Sequence, residues 1–264
     1  MAATVKNSSA PGSAPGSAPS SGPGTMAARG DQAAHDALRT AHDGGYRFPE
    51  GFYGFTATVT VIEDTGGTVR QGVGSAIVGG PRAIEVSLDA ENDLAAWARG
   101  ELGSMAGHRW PTPYEMADGR WTLSIEEETA SPLGHLVSVH DDPFQSAYRL
   151  RDGRIAQVIR TMGDTRFTIT IQAHAPTDDA RVLPAAFTVS FWDSEATRMN
   201  RVDAYTDRYA SVDGVWLPRS RRVVTATDLG FVARELTFED VVVLDEPVAG
   251  AATGDVGRHG NRAG

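Results

Sequence analysis

Apolar and polar positions alternate with a period of two through most of the C-terminal half of the chain. From Leu183 to Leu244 the alternation predicts antiparallel strands at Ala185–Phe191, Arg201–Val212, Val215–Ala226 and Phe231–Val243. Asp213-Gly214 and Asp228-Leu229-Gly230 fall between them. Asp-Gly between two alternating runs signals a hairpin, because a type I′ turn needs positive φ at both central residues. The same period recurs at Phe55–Val61, Val69–Val78, Ile84–Leu88, Trp121–Glu127, Gly134–His140, Ala147–Leu150, Ile155–Met162 and Arg166–His174. Twice the period lengthens to that of a helix. In Asp31–Asp43, Ala34, Ala37, Leu38 and Ala41 share a face; in Asp89–Ala106, Leu94, Trp97, Ala98, Leu102 and Met105 do. Gly44-Gly45 and Gly107 supply C-terminal caps. Gly100 and Gly103 weaken the second helix, and fit a helix that sits close to a sheet or moves on it. So many strands joined by short turns imply a sheet that curls strongly or closes. The expected fold is mainly β (α+β): a strongly curved antiparallel half-barrel over residues 31–248, with two helices across its concave face.

Both ends break the pattern. Ala10–Gly24 repeats Ala, Pro, Gly and Ser without a large apolar residue. Such a segment cannot bury enough surface to offset its ordering entropy, so residues 1–30 and 249–264 are expected to be disordered tails. Met26 is an alternative start to Met1. Setting the tails aside sharpens the charge. The whole chain carries −10; residues 1–30 contribute +2 and residues 249–264 contribute +1, which leaves −13 on the body. An acidic body repels phosphate backbones and anionic head groups at long range, which argues against a nucleic-acid partner. The absence of cysteine excludes disulfides, thiolate catalysis and cysteine-ligated metal centres. No apolar run approaches the roughly 18 residues of a membrane span, so no integral membrane association is expected. Met1–Gly24 lacks the apolar core of a signal peptide, and the expected compartment is the cytoplasm.

Candidate chemistry is scattered. Gly72-Val73-Gly74 starts like a dinucleotide fingerprint, but Ile77 stands where the third glycine would fall and the segment continues as strand. Its glycines suit a sheet bend or bulge. A His-Glu-x-x-His site, a phosphate-binding loop and a Gly-x-Ser-x-Gly elbow are all missing. His35 and His42 lie seven residues apart, about 10 Å along a helix, too far to share a metal; they read as a solvated edge. His135 and His140 point to opposite faces of their strand and read as a polar strand end. No metal and no cofactor are expected. His108-Arg109-Trp110 follows the second helix, where the dipole favours a cationic histidine and Arg109 can hold a carboxylate or phosphate with two donors. The plainer alternative is a helix-end cluster that caps carbonyls and packs Trp110 on the sheet. Trp97, Met105, Trp110, Trp121, Phe167 and Trp192 fit an apolar cavity lining, although aromatics at core spacing are more often plain core. The candidate ligand set is Trp97, Met105, His108, Arg109, Trp110 and Trp121. Asp207 and Tyr209 read as a structural hydrogen-bonded pair.

Tyr46-Arg47-Phe48-Pro49 running into Gly54-Phe55-Thr56-Ala57 resembles the opening of an uncharacterised family known chiefly from photosynthetic bacteria and plastids. His108-Arg109, Met162-Gly163-Asp164, Phe191-Trp192-Asp193, Asp207-Arg208-Tyr209 and Trp216-Leu217-Pro218 resemble it too, over about residues 33–245. The family implies no reaction and no catalytic residues. Val215-Trp216-Leu217-Pro218 and Glu235–Val241 more remotely resemble the closing strands of lipoprotein carriers of LolA and LolB type. There a curved sheet is closed by helices over an apolar cavity, so the resemblance implies a cavity. The leading expectation is non-catalytic binding or carriage of a small apolar or amphipathic molecule. Alternatives are an isomerase or cyclase of a hydrophobic metabolite, and a structural partner with a filled core. A cavity of about 300–1,000 Å³ separates the first two from the third. A buried ionisable pair beside it favours the enzyme.

Overall fold

The computed structural model describes residues 24–126, 130–193 and 195–248. Of the expected tails 1–30 and 249–264, residues 1–23 and 249–264 lie outside them. Helix α1 (Gly24–Asp43) begins upstream of the expected Asp31. Met26-Ala27-Ala28-Arg29 are strong helix formers, and they carry the helix back toward Pro23.

The remaining elements follow in the expected order. They are β1 (Phe55–Asp64), β2 (Val69–Val78), β3 (Ile84–Leu88), α2 (Asn92–Gly107), β4 (Thr122–Ile125), β5 (His135–His140) and β6 (Ala147–Arg151). Then come β7 (Arg154–Met162), β8 (Thr165–Pro176), β9 (Val182–Asp193), β10 (Met199–Val212), β11 (Val215–Thr227) and β12 (Gly230–Val243). All twelve form one antiparallel sheet in the order β3-β2-β1-β12-β11-β10-β9-β8-β7-β6-β5-β4. The sheet curls without closing. Asp213 and Gly214 both adopt positive φ (50° and 80°), as do Asp152 and Gly153 (53° and 69°), as type I′ hairpin turns require. Register shifts within β1/β12, β8/β9 and β10/β11 mark bulges, which bend strands and increase the local twist.

Two local expectations change. Gly72 and Gly74 make neither bend nor bulge, since the β1–β2 ladder runs past them in register. They are needed for close approach: a Cβ on Gly74 would lie 1.9 Å from the Ser87 carbonyl oxygen on β3. Helix α2 starts at Asn92 rather than Asp89, because Asp89 is pinned to β2. Its carboxylate accepts the Val73 N–H at 2.6 Å, and its own N–H donates to the Val73 carbonyl at 2.9 Å.

The helices do not lie side by side across the middle of the concave face; each covers one end. Leu94, Ala98, Leu102 and Met105 of α2 pack on Val59, Val61, Leu217, Leu236 and Phe238 of β1, β11 and β12. Ala34, Leu38 and Ala41 of α1 pack on Leu123, Val137, Tyr148 and Leu150 of β4–β6. The difference shows in the strands between. Buried positions alternate along β1, whereas neither β7 nor β8 holds a single buried residue. Residues 44–48 strap the gap. Tyr46 N–H donates to the Val182 carbonyl at 2.9 Å, Val182 N–H to the Gly44 carbonyl at 3.0 Å, and Phe48 N–H to the Arg109 carbonyl at 2.7 Å.

The α2 glycines are not close-approach positions. A Cβ on Gly100 would meet nothing within 4 Å, and one on Gly103 would make ordinary contact with Ile84 at 3.8 Å. Gly100→Ala should therefore raise stability by about 1 kcal/mol through helix propensity alone. Gly74→Ala should lower it by about 1–3 kcal/mol through forced backbone displacement. Urea midpoints at unchanged m-value check both signs.

Candidate functional site

Where the two helices leave the sheet uncovered, a cavity of about 410 Å³ opens. Its floor is Ile155 and Val158 of β7, Phe167, Ile169 and Ile171 of β8, and Phe187 of β9. The register explains why these side chains converge. Val158 pairs with Ile169 and Ile171 with Phe187, and residues opposite each other in an antiparallel ladder share a face. The other face of the same strands carries Thr168, Thr170, Thr188 and Ser190, paired Thr168 with Ser190 and Thr170 with Thr188. The floor is thus apolar, concave and only half-buried. Leu38 and Ala41 of α1, Tyr46 and Arg47 of the strap, and Ser104, His108 and Arg109 at the end of α2 form the walls. The bulges around Ala173 turn His174 to the cavity side as well.

Of the candidate residues read from sequence, His108 and Arg109 line this cavity, and Trp97, Met105, Trp110 and Trp121 do not. Met105 is 3% exposed within the α2 core. Trp97 packs on that same core, with the Arg234 guanidinium 5.5 Å from its ring centroid. Trp110 meets Phe48 edge-on at 5.1 Å and Phe52 at 5.6 Å. Trp121 packs against the α1 core, with Arg120 at 4.7 Å. The apolar stripe of α2 faces β1, β11 and β12 rather than the central strands, so its aromatics fill an end core. His35 and His42 are not a free solvated edge. Both rings pack edge-on to Tyr114, at 6.1 and 5.7 Å, because the 3₁₀ turn Tyr114–Met116 folds back on α1. His42 then reaches the cavity wall. Among the described residues no three His, Asp or Glu side chains cluster as a metal site.

Asp207 and Tyr209 do form a hydrogen-bonded pair, but inside a larger buried group. Arg221, 3% exposed, donates to both Asp207 oxygens at 2.8 and 2.6 Å and to Glu101 Oε2 on α2 at 2.9 Å. The Tyr209 hydroxyl donates to the Pro184 carbonyl at 2.9 Å and approaches Asp207 Oδ2 at 3.2 Å. On the opposite wall Arg160 donates to the Tyr148 hydroxyl at 2.9 Å and Ser146 Oγ at 3.2 Å, and Tyr148 donates to Asp118 Oδ1 at 3.0 Å. Burial, reinforced by the Asp118 charge, pushes the Tyr148 phenol well up. The sequence reading missed Arg47, Arg160, Arg221 and every floor residue of β7–β9 except Phe167, which it named as possible cavity lining. The clean alternation of Arg166–His174 was a signal for the floor, since no helical segment remained to cover its apolar face.

The cavity is electropositive. Burial depresses the His108 pKa, and the neighbouring charges of Arg109, Arg160, Arg47 and Arg221 depress it further. The ring faces the open cleft, so it keeps water contact although protein surrounds it on several sides. His174 is held down by burial and by Arg154. Burial and then the Arg109 charge lower the Arg47 pKa.

A curved antiparallel half-barrel with an open apolar cavity between two helices is the class of protein that this fold and site define. The chain belongs to the family described as "Protein of unknown function (DUF3386)", whose model matches residues 29–244. No curated protein matches it. Among solved structures it is similar to a LolA superfamily protein from Nitrosomonas europaea, at 11% identity and TM-score 0.38, over 81% of this chain and 94% of that one. It is also similar to a DUF1329 family protein from Desulfovibrio piger, at 10% identity and TM-score 0.28, over 81% and 93%.

The histidine shifts carry a sign. His108 and His174 have folded pKa values below the ordinary value of about 6.5. Their neutral forms therefore contribute stability that is present above about pH 6.5 and is lost as pH falls through the depressed values. Thermal midpoints should fall from pH 7.5 to 5, and less steeply in a His108→Asn, His174→Asn double variant. Identical slopes in the two proteins would refute the assignment.

Proposed function

We propose that this protein binds or carries a small apolar or amphipathic molecule in the cavity between α1 and α2. One observation carries the reading: Ile155, Val158, Phe167, Ile169, Ile171 and Phe187 form a contiguous apolar floor that stays half-exposed inside a concavity of about 410 Å³. That size falls in the range of small-molecule sites, about 300–1,000 Å³. Burying half-exposed apolar surface is favourable by roughly 25 cal/mol per Å², so a ligand that covers this floor supplies what the core lacks.

The buried Asp207–Arg221–Glu101 group beside the cavity favours the second reading, an enzyme acting on a hydrophobic metabolite. Both carboxylates are already committed to Arg221, however, so neither offers a free base at the wall. Binding without chemistry is the better account.

A neutral solvatochromic dye such as Nile red, titrated into the purified full chain, tests the proposal. One-to-one binding is expected. Ile169→Trp, which fills the floor, should weaken it by about tenfold or more, as large groups in ligand pockets do. The thermal midpoint should hold or rise. Dye binding that is indifferent to Ile169→Trp would place the apolar site elsewhere and defeat the proposal.

A further inference from the structure

We infer that the ligand is an amphipathic anion, whose carboxylate or phosphate head sits between Arg47 and Arg109 beside His108 and whose hydrocarbon part lies on the β7–β9 floor. This rests on the cavity-binding reading and specifies its ligand.

The first ground is the distribution of charge. The body of the chain carries −13, yet the cavity lining gathers five arginines and three histidines against one acid, Asp118. A concentration of cations in a concave, low-dielectric site, against the sign of the whole molecule, is what focuses an anion there.

The second ground is which of these cations are already satisfied. Arg221 is neutralised by Asp207 and Glu101. Arg160 is held by Tyr148 and Ser146, and Asp118 is occupied by the Tyr148 hydroxyl. Arg47 and Arg109 are different. Among the described residues neither makes an ion pair with a carboxylate. Among the described residues Arg47 donates only to its neighbour's carbonyl, on Tyr46, at 3.3 Å. Arg109 reaches the Tyr209 hydroxyl at a long 3.4 Å, and its Nε is buried without a partner. A guanidinium presents five N–H donors in a fixed fork, so most of the hydrogen-bonding capacity of this pair is unspent.

The third ground is placement. The backbone joins the two sites, since Phe48 N–H donates to the Arg109 carbonyl at 2.7 Å, one residue beyond Arg47. The main-chain positions of the pair are therefore fixed relative to each other before any ligand arrives, which lowers the cost of binding. Burial, and then the Arg109 charge, push the Arg47 pKa down. An oxyanion between them removes that repulsion and supplies the missing acceptors. The same cavity is lined by the apolar floor residues Ile171 and Phe187, so head and tail have separate places within one site.

The test uses the full chain and four probes of defined chemistry: dodecanoate, dodecyl phosphate, dodecanol and inorganic phosphate, each titrated calorimetrically. The two anions should bind at least about tenfold tighter than dodecanol, the scale of one charge-assisted hydrogen-bonded contact. Arg47→Gln and Arg109→Gln should each erase most of that preference while dodecanol affinity and thermal midpoint stay as they were. Should either glutamine variant fold poorly, Arg47→Met and Arg109→Met remove the charge while keeping an apolar stem. Equal affinity for dodecanol and dodecanoate would overturn the head-group assignment and leave the cavity reading intact. Inorganic phosphate binding as tightly as dodecyl phosphate would overturn it in favour of a free anion. A preference that survives both arginine substitutions would overturn the placement. Failure of every alkyl probe, together with Nile red, would sink the cavity reading itself.

Discussion

An open sheet of twelve strands presents more concave face than two helices can cover. Neighbouring strands lie about 4.8 Å apart, so the sheet spans roughly 50 Å across its strands before curvature. A helix of 16 residues such as α2 is only about 24 Å long. The arrangement places one helix at each end. There, cores close in the ordinary way: Leu102 of α2 is fully buried against Phe55, Val59 and Phe238, and Leu38 of α1 against Leu123. The middle is left with apolar side chains and no cover. That shortage, rather than any special loop, makes the cavity.

The arginines solve a problem that this geometry creates. Arg221 stands on β11, where the α2 core gives way to the open floor, and binds both Asp207 on β10 and Glu101 on α2. A buried guanidinium with one partner removed leaves an uncompensated charge, so the group acts as a bolt between helix and sheet at the cavity's edge. Arg160, Tyr148 and Asp118 play the matching part on the α1 side. Two cations on the wall are thus consumed by structure. Arg47 and Arg109 sit where the strap meets the end of α2, and no carboxylate consumes them. The contrast between satisfied and unsatisfied arginines gives the cavity its chemical character, because the same low-dielectric wall that strengthens a paired charge penalises an unpaired one.

Much of the architecture was legible in the alternation of side chains. Each run of period two became a strand, and Asp213-Gly214 and Asp152-Gly153 became the turns that their positive φ requires. The two helical stripes bury the residues expected of them, Ala34 and Leu38, Leu94 and Leu102. Of the candidate ligand residues picked from sequence, His108 and Arg109 line the cavity, at a helix end that local sequence marks. Trp97, Met105, Trp110 and Trp121 lie outside its lining, and local sequence does not mark the difference: a large apolar side chain on a stripe looks the same whether it faces a void or a packed core. Arg47, Arg160 and Arg221 come from the strap, β7 and β11, and nothing local relates them.

The sequence by itself determined the strands, the turns, the helical faces, the acidic balance of the body and the absence of thiol chemistry. These follow from periodicity and composition, which act over a few residues or over the chain as a whole. The tertiary structure alone decided which stretch of the concave face each helix covers and hence where the cavity lies. It also decided which arginines meet carboxylates and which do not. Packing of a helix on a curled sheet brings together residues more than a hundred positions apart, such as Glu101 on α2 and Arg221 on β11. Whether a buried charge is satisfied depends on that distant partner, and no local pattern of residues carries the information.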